Sequence, residues 1–109
     1  MTREEALLAI VKFDHNKDEA FSQLAKYPRE CPQPLVEITP EILINNLKLY
    51  VKNTITTDDL EFWAGLIDIR EDIAIKQVEG EVYALANPDL IGEISVEKIT
   101  KLINLLEPS

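Results

Sequence analysis

A chain of 109 residues that is 46% hydrophobic and 28% charged is long enough to bury a core without metal or disulfide staples and too apolar to stay disordered. Its net charge of −9 has the wrong sign for neutralising phosphates, which argues against direct contact with DNA, RNA or an anionic membrane surface. No apolar run approaches the roughly 20 residues that span a bilayer, and the single cysteine rules out an intramolecular disulfide and fits a reducing compartment.

The opening run MTREEALLAIVKF has Glu4 and Glu5 where a signal peptide would be basic, so the expectation is one cytoplasmic domain spanning residues 1–109. Three glycines in the whole chain, with apolar residues at helical spacing, predict an all-α fold: a bundle of five to six helices. Thr2-x-x-Glu5 is a capping-box pattern, and Ala6, Leu7, Ile10 and Val11 follow at helical steps, which predicts a helix near residues 3–13. Asn16-x-x-Glu19 repeats the signal before Phe21, Leu24 and Ala25. That second helix should stop before Pro28.

Residues 28–38 hold Pro28, Pro32 and Pro34. Proline lacks a donor and biases its predecessor away from the helical region, so an extended connector is expected, pinned by Leu35, Val36 and Ile38. Beyond it one pattern occurs three times: Ile38-Thr39-Pro40-Glu41, Ile55-Thr56-Thr57-Asp58 and Ile94-Ser95-Val96-Glu97. The hydroxyl is an N-cap and the acid suits the positive helix end. The isoleucine can staple against Leu43, Leu60 or Ile99, four residues after each cap. Helices are therefore predicted to begin near residues 40, 57 and 96, with Asn53 as the C′ residue of the first and Pro108 ending the last. Between them a helix is expected from about Lys76 to Ala86, closed by Asn87-Pro88, with DLIGEI as a turn. Short strands at residues 36–38 or 73–75 remain open.

The charge is unevenly spread: residues 55–97 carry eleven acids against Arg70 and Lys76 alone. Within that segment Leu60, Trp63, Ala64 and Ile67 line one side of a helix. Phe62, Leu66 and Ile69 extend the apolar arc around most of the circumference, leaving a polar stripe through Glu61, Gly65 and Asp68 that reaches Asp72 if the helix continues. A helix apolar over most of its circumference belongs in the middle of its domain. The acids do not match a calcium loop, and one histidine with one cysteine is too few for a zinc or transition-metal site. No nucleophile or phosphate-loop motif is present. His15 reads as part of a surface turn and Cys31 as a loop thiol. No catalytic residue, metal or cofactor is expected, and a small enzyme ranks last among the readings.

Asp58 and Asp59 are explained by the helix end they complement. Glu61, Asp68, Glu71, Asp72, Glu79 and Glu81 are less well explained, because a solvated face normally interleaves lysines. Single-sign crowding costs stability through self-repulsion and is relieved by a basic partner. Trp63, Phe62, Tyr50 and Tyr83 read as core residues before interface anchors. Gly65 fits a close helix crossing inside the fold or, alternatively, the approach of a partner's backbone.

The run ITTDDLEFWAGLIDIREDI, followed by VYALANPDLIGEIS, resembles short bacterial proteins with a Trp-centred helix after an Ile-Thr/Ser cap and a later LANP helix end. Several of these are immunity partners encoded beside polymorphic or contact-dependent growth-inhibition toxins. The resemblance covers residues 38–98 and rests on capping and packing motifs, so no binding residue carries over from it. It implies non-catalytic neutralisation of a toxin domain, often a basic nuclease. The expected function is therefore an immunity protein that binds a cationic toxin domain through an acidic surface of residues 58–93, with Glu61, Gly65, Asp68, Glu71, Asp72, Glu79 and Glu81 as the contact residues. A structural or regulatory domain that self-associates through its aromatic helices is the alternative, and the oligomeric state stays open.

Overall fold

Each hydroxyl cap sets a helix start where the sequence places it. The computed structural model describes residues 2–14 and 16–107, and its chain order is α1 (Arg3–Val11), α2 (Lys17–Leu24), β1 (Val36–Glu37), α3 (Pro40–Val51), α4 (Thr57–Asp68), β2 (Ile73–Ala74), α5 (Glu79–Ala86), α6 (Pro88–Ile91) and α7 (Val96–Leu106). His15 and Pro108 lie outside the described residues. The fold is a mostly α bundle: six helices of eight or more residues and the four-residue α6.

Thr39, Thr56 and Ser95 accept hydrogen bonds from the amides of Ile42, Asp59 and Lys98. The isoleucine before each cap and its partner, Ile38 with Leu43, Ile55 with Leu60 and Ile94 with Ile99, are all buried. Thr2 and Thr56 close full capping boxes with Glu5 and Asp59. Asn53 takes a φ of 64°, as a C′ residue after α3 should. Asn16 departs from expectation: its φ of −97° and ψ of 19° leave it without a side-chain cap bond. An N-cap needs extended backbone to aim its side chain at the first turn, and the tight link between α1 and α2 denies it that.

Three helix pairs, α1 with α2, α3 with α7 and α4 with α5, enclose the core. Trp63 sits at its centre, stacked on Phe13 at 5.6 Å. The Trp63 indole N–H donates to the Ile10 carbonyl at 3.0 Å, and the Asn46 amide donates to that of Val11 at 2.6 Å. Carbonyls in a helix's last turn lack intrahelical partners, so α4 and α3 each reach into the open end of α1 and fix its position.

The two stretches left open as strands pair with each other. β1 and β2 run parallel, with Val36 opposite Ile73 and Glu37 opposite Ala74. This pairing delays α5: β2 and a turn closed by the Val78 amide on the Ile75 carbonyl occupy residues where helical spacing alone predicted a start at Lys76. Val36 and Ile38 pin the connector as expected, whereas Leu35 turns outward, its amide donating to the Asp72 carbonyl at 2.8 Å.

Candidate functional site

Residues on one helix face recur at steps of three and four, and α4 presents two such rows to the outside. Asp58, Glu61, Gly65 and Asp68 form one row. Phe62, Leu66 and Ile69 form the other. Phe62 is 63% exposed and Ile69 52%, so α4 is not the embedded, nearly all-apolar helix that the sequence suggested. Its buried side is Leu60, Trp63, Ala64 and Ile67, as expected. Both outer rows except Asp68, together with Ala86 from the end of α5, line an open groove. On the other flank of Phe62 is a second hollow, where Ile10, Phe13, Phe21 and Trp63 meet Lys17, Asp18, Asp58 and Asp59. Phe62 is thus a ridge between two depressions, braced edge-on by Phe21 at 5.6 Å, and Asp58 borders both.

Gly65 has open space over it: a Cβ built there meets nothing within 4 Å. The helix-crossing account of this glycine is therefore wrong, since no neighbouring element approaches closely. Asp59 is committed to the Thr56 cap, whose backbone amide holds its carboxyl below the ordinary range.

Asp72 corrects the expected stripe most sharply. Helix α4 ends at Asp68, and the Asp72 side chain is 0% exposed. Arg70 grips both of its carboxylate oxygens, Nε to Oδ1 and Nη2 to Oδ2, each at 2.8 Å. Arg3 adds a bond to Oδ2 at 3.1 Å. Burial pushes this carboxyl upward, but the hydrogen bonds and charges of Arg70 and then Arg3 outweigh it and hold the group below the usual carboxylate range. The arginines' remaining donors reach the Pro28 carbonyl, and Arg3 also reaches that of Glu30. The cluster is a clamp on the proline-rich connector, and Asp72 offers no oxygen to a partner.

The seven expected contact residues do not form one patch. Glu61, Gly65 and Asp68 share the outer row of α4. Glu71 is exposed just past its end, with its amide bonded to the Arg29 carbonyl. Glu79 borders a depression at the sheet, beside Leu35 and Lys76. Glu81 faces a different groove, between α5 and α7. Two positions apart on one helix, Glu79 and Glu81 point about 160° apart. Of the four aromatics read as core, Trp63 and Tyr50 are buried, while Phe62 and Tyr83 are exposed.

The exposed row was legible in the sequence. At 100° per residue Phe62, Leu66 and Ile69 cluster within about 60° of one another, roughly opposite the Trp63 side. They form a second stripe rather than a wider arc. The burial of Asp72 had only the local cue Arg70-x-Asp72, because Arg3 lies 69 residues away.

Among the described residues no group of three or more His, Cys, Asp or Glu side chains is placed to hold a metal ion, and no helix is long and apolar enough to cross a membrane. Comparisons with protein-family models, curated protein sequences and solved structures give no match for this chain.

Proposed function

We propose that this chain is a non-catalytic binding protein that neutralises a cationic protein, specifically an immunity protein for a nuclease-type bacterial toxin domain, and that the outer face of α4 is its docking surface. The observation that carries the reading is that this face sacrifices stability at three positions. Gly65 weakens the helix interior with no close approach inside the fold to require it. Phe62 leaves most of an aromatic ring in water. Asp68 sits at the negative end of the helix, where a cation is favoured. Sites kept for binding commonly trade stability in this way. An exposed aromatic beside carboxylates supplies an anchor and a charged rim for a basic partner, and Gly65 leaves room for a backbone to come near.

The like charges of Asp58, Glu61 and Asp68 repel a second copy of the same face, which disfavours self-association through it. The test is whether the gene immediately upstream encodes a large secreted protein with a variable C-terminal domain, followed by co-expression with that domain. The native chain is expected to protect the host and to co-purify with that domain. Phe62→Ala combined with Glu61→Lys and Asp68→Lys should abolish both while the chain stays folded. Undiminished protection by the triple variant would overturn the assignment of the face.

A further inference from the structure

All three phenylalanines of the chain and its only tryptophan line one hollow, the depression on the far flank of Phe62 from the α4 groove. They stand as two pairs, Phe13 stacked on Trp63 and Phe21 edge-on to Phe62, each with ring centroids 5.6 Å apart. Phe13 reaches this wall at a cost. Its φ of 52° lies in the left-handed region, where a bulky side chain is strained and a helix end ordinarily carries glycine or asparagine. Strain of this kind gathers at binding sites. The hollow has a volume of about 420 Å³, at the small end of ligand pockets and suited to one side chain rather than to a helix or strand.

We propose that this hollow receives one arginine side chain of the cationic partner, its guanidinium seated on the aromatic walls and paired with the aspartates at the rim. Charge and ring chemistry together select this occupant. Asp18, Asp58 and Asp59 face a single lysine, Lys17, so the lining has an excess of two negative charges. Ring faces attract cations, and a guanidinium stacks on them and sheds water more readily than an ammonium. The chain already places a cation of its own there. Half-buried Lys17 pairs with Asp18 at 3.5 Å, and Asp59, held low first by the Thr56 amide, also feels the Lys17 charge. The Asp18 side chain is 90% exposed, so its pair with Lys17 is weak and gives way to a better-fitting cation. Asp58 and Phe62 also border the α4 groove, so an arginine seated here anchors a partner lying on that face. That the arginine belongs to a protein partner rests on the function proposed above; the hollow's selection of a guanidinium does not.

The test is titration of the whole chain with N-acetyl-arginine amide at constant ionic strength, read from the indole N–H resonance of Trp63, the only tryptophan. The native chain should show a saturable shift with a dissociation constant of about 1–30 mM, the scale of a single side chain. The neutral isostere N-acetyl-citrulline amide should give none. Phe21→Leu keeps apolar bulk but removes a ring face, and should weaken binding about two- to fivefold. Asp58→Asn should weaken it about twofold, and Lys17→Ala, which removes the resident cation, should tighten it by about as much. The last two changes lie at the rim and leave the fold intact, so they decide the matter even if Phe21→Leu unfolds. Absence of a shift, an equal response to citrulline, or indifference to Asp58→Asn and Lys17→Ala overturns the proposal. A chain that protects its host yet ignores the arginine probe loses the hollow and keeps the function. A chain that binds the probe but protects against no toxin keeps the hollow and loses the function.

Discussion

Gly65 and Asp72 were grouped on one stripe by their spacing, and their surroundings assign them opposite work. Gly65 lies in open space on a helix, so a methyl there removes backbone entropy from the unfolded chain without a clash. Gly65→Ala should stabilise the fold by about 0.5–1 kcal/mol in denaturant titration. Gly65→Lys should likewise fold but lose the partner, whereas a collapse in stability would show that the position is needed inside the molecule. Asp72→Asn leaves Arg70 buried without its counter-charge and should cost about 3 kcal/mol. The pH dependence follows from the direction of its shift. The folded state holds the Asp72 carboxyl below its unfolded value, so the clamp's stabilisation is complete above about pH 4 and is lost as pH falls through the lower, folded value. Acid unfolding followed by circular dichroism should lose this component in Asp72→Asn.

Helix α4 is held from both its start and its middle. Thr56 and Asp59 satisfy its first amides, while Trp63 ties it to the end of α1. Thr56→Ala removes the hydroxyl that caps the Asp59 amide and should lower stability by about 1 kcal/mol, read by urea denaturation. Since Thr56 lies outside the outer rows, partner affinity at temperatures where the chain stays folded should be unaffected. The same element shows how amphipathicity can mislead. An apolar arc and two opposed apolar stripes contain the same residues, and only their angular gap separates a buried helix from one with a sticky outer face.

At the scale of the whole molecule the net charge of −9 is divided rather than pooled. Asp72 is neutralised inside, Glu79 and Glu81 look onto other grooves, and Asp58, Glu61 and Asp68 remain together on α4. An interface with that many unpaired carboxylates at its rim is screened by salt, because the Debye length shrinks from about 10 Å at 0.1 M to about 3 Å at 1 M. The complex with a cationic domain should therefore associate more slowly as ionic strength rises, measured by stopped-flow, while the apolar anchor keeps dissociation nearly constant.

The sequence by itself determined the starts of α1, α3, α4 and α7, because caps, staples and helical spacing are local and each act within a few residues of the chain. It also carried the buried side of α4. Tertiary structure alone decided the rest. The parallel pairing of Val36 with Ile73 joins residues far apart in the chain and shortened α5. The clamp on Asp72 needs Arg3 from the opposite end. The division of the acids among separate grooves depends on how α5 turns between its neighbours. A run of carboxylates states a quantity of charge, but its direction in space belongs to the packing of elements that the run does not contain.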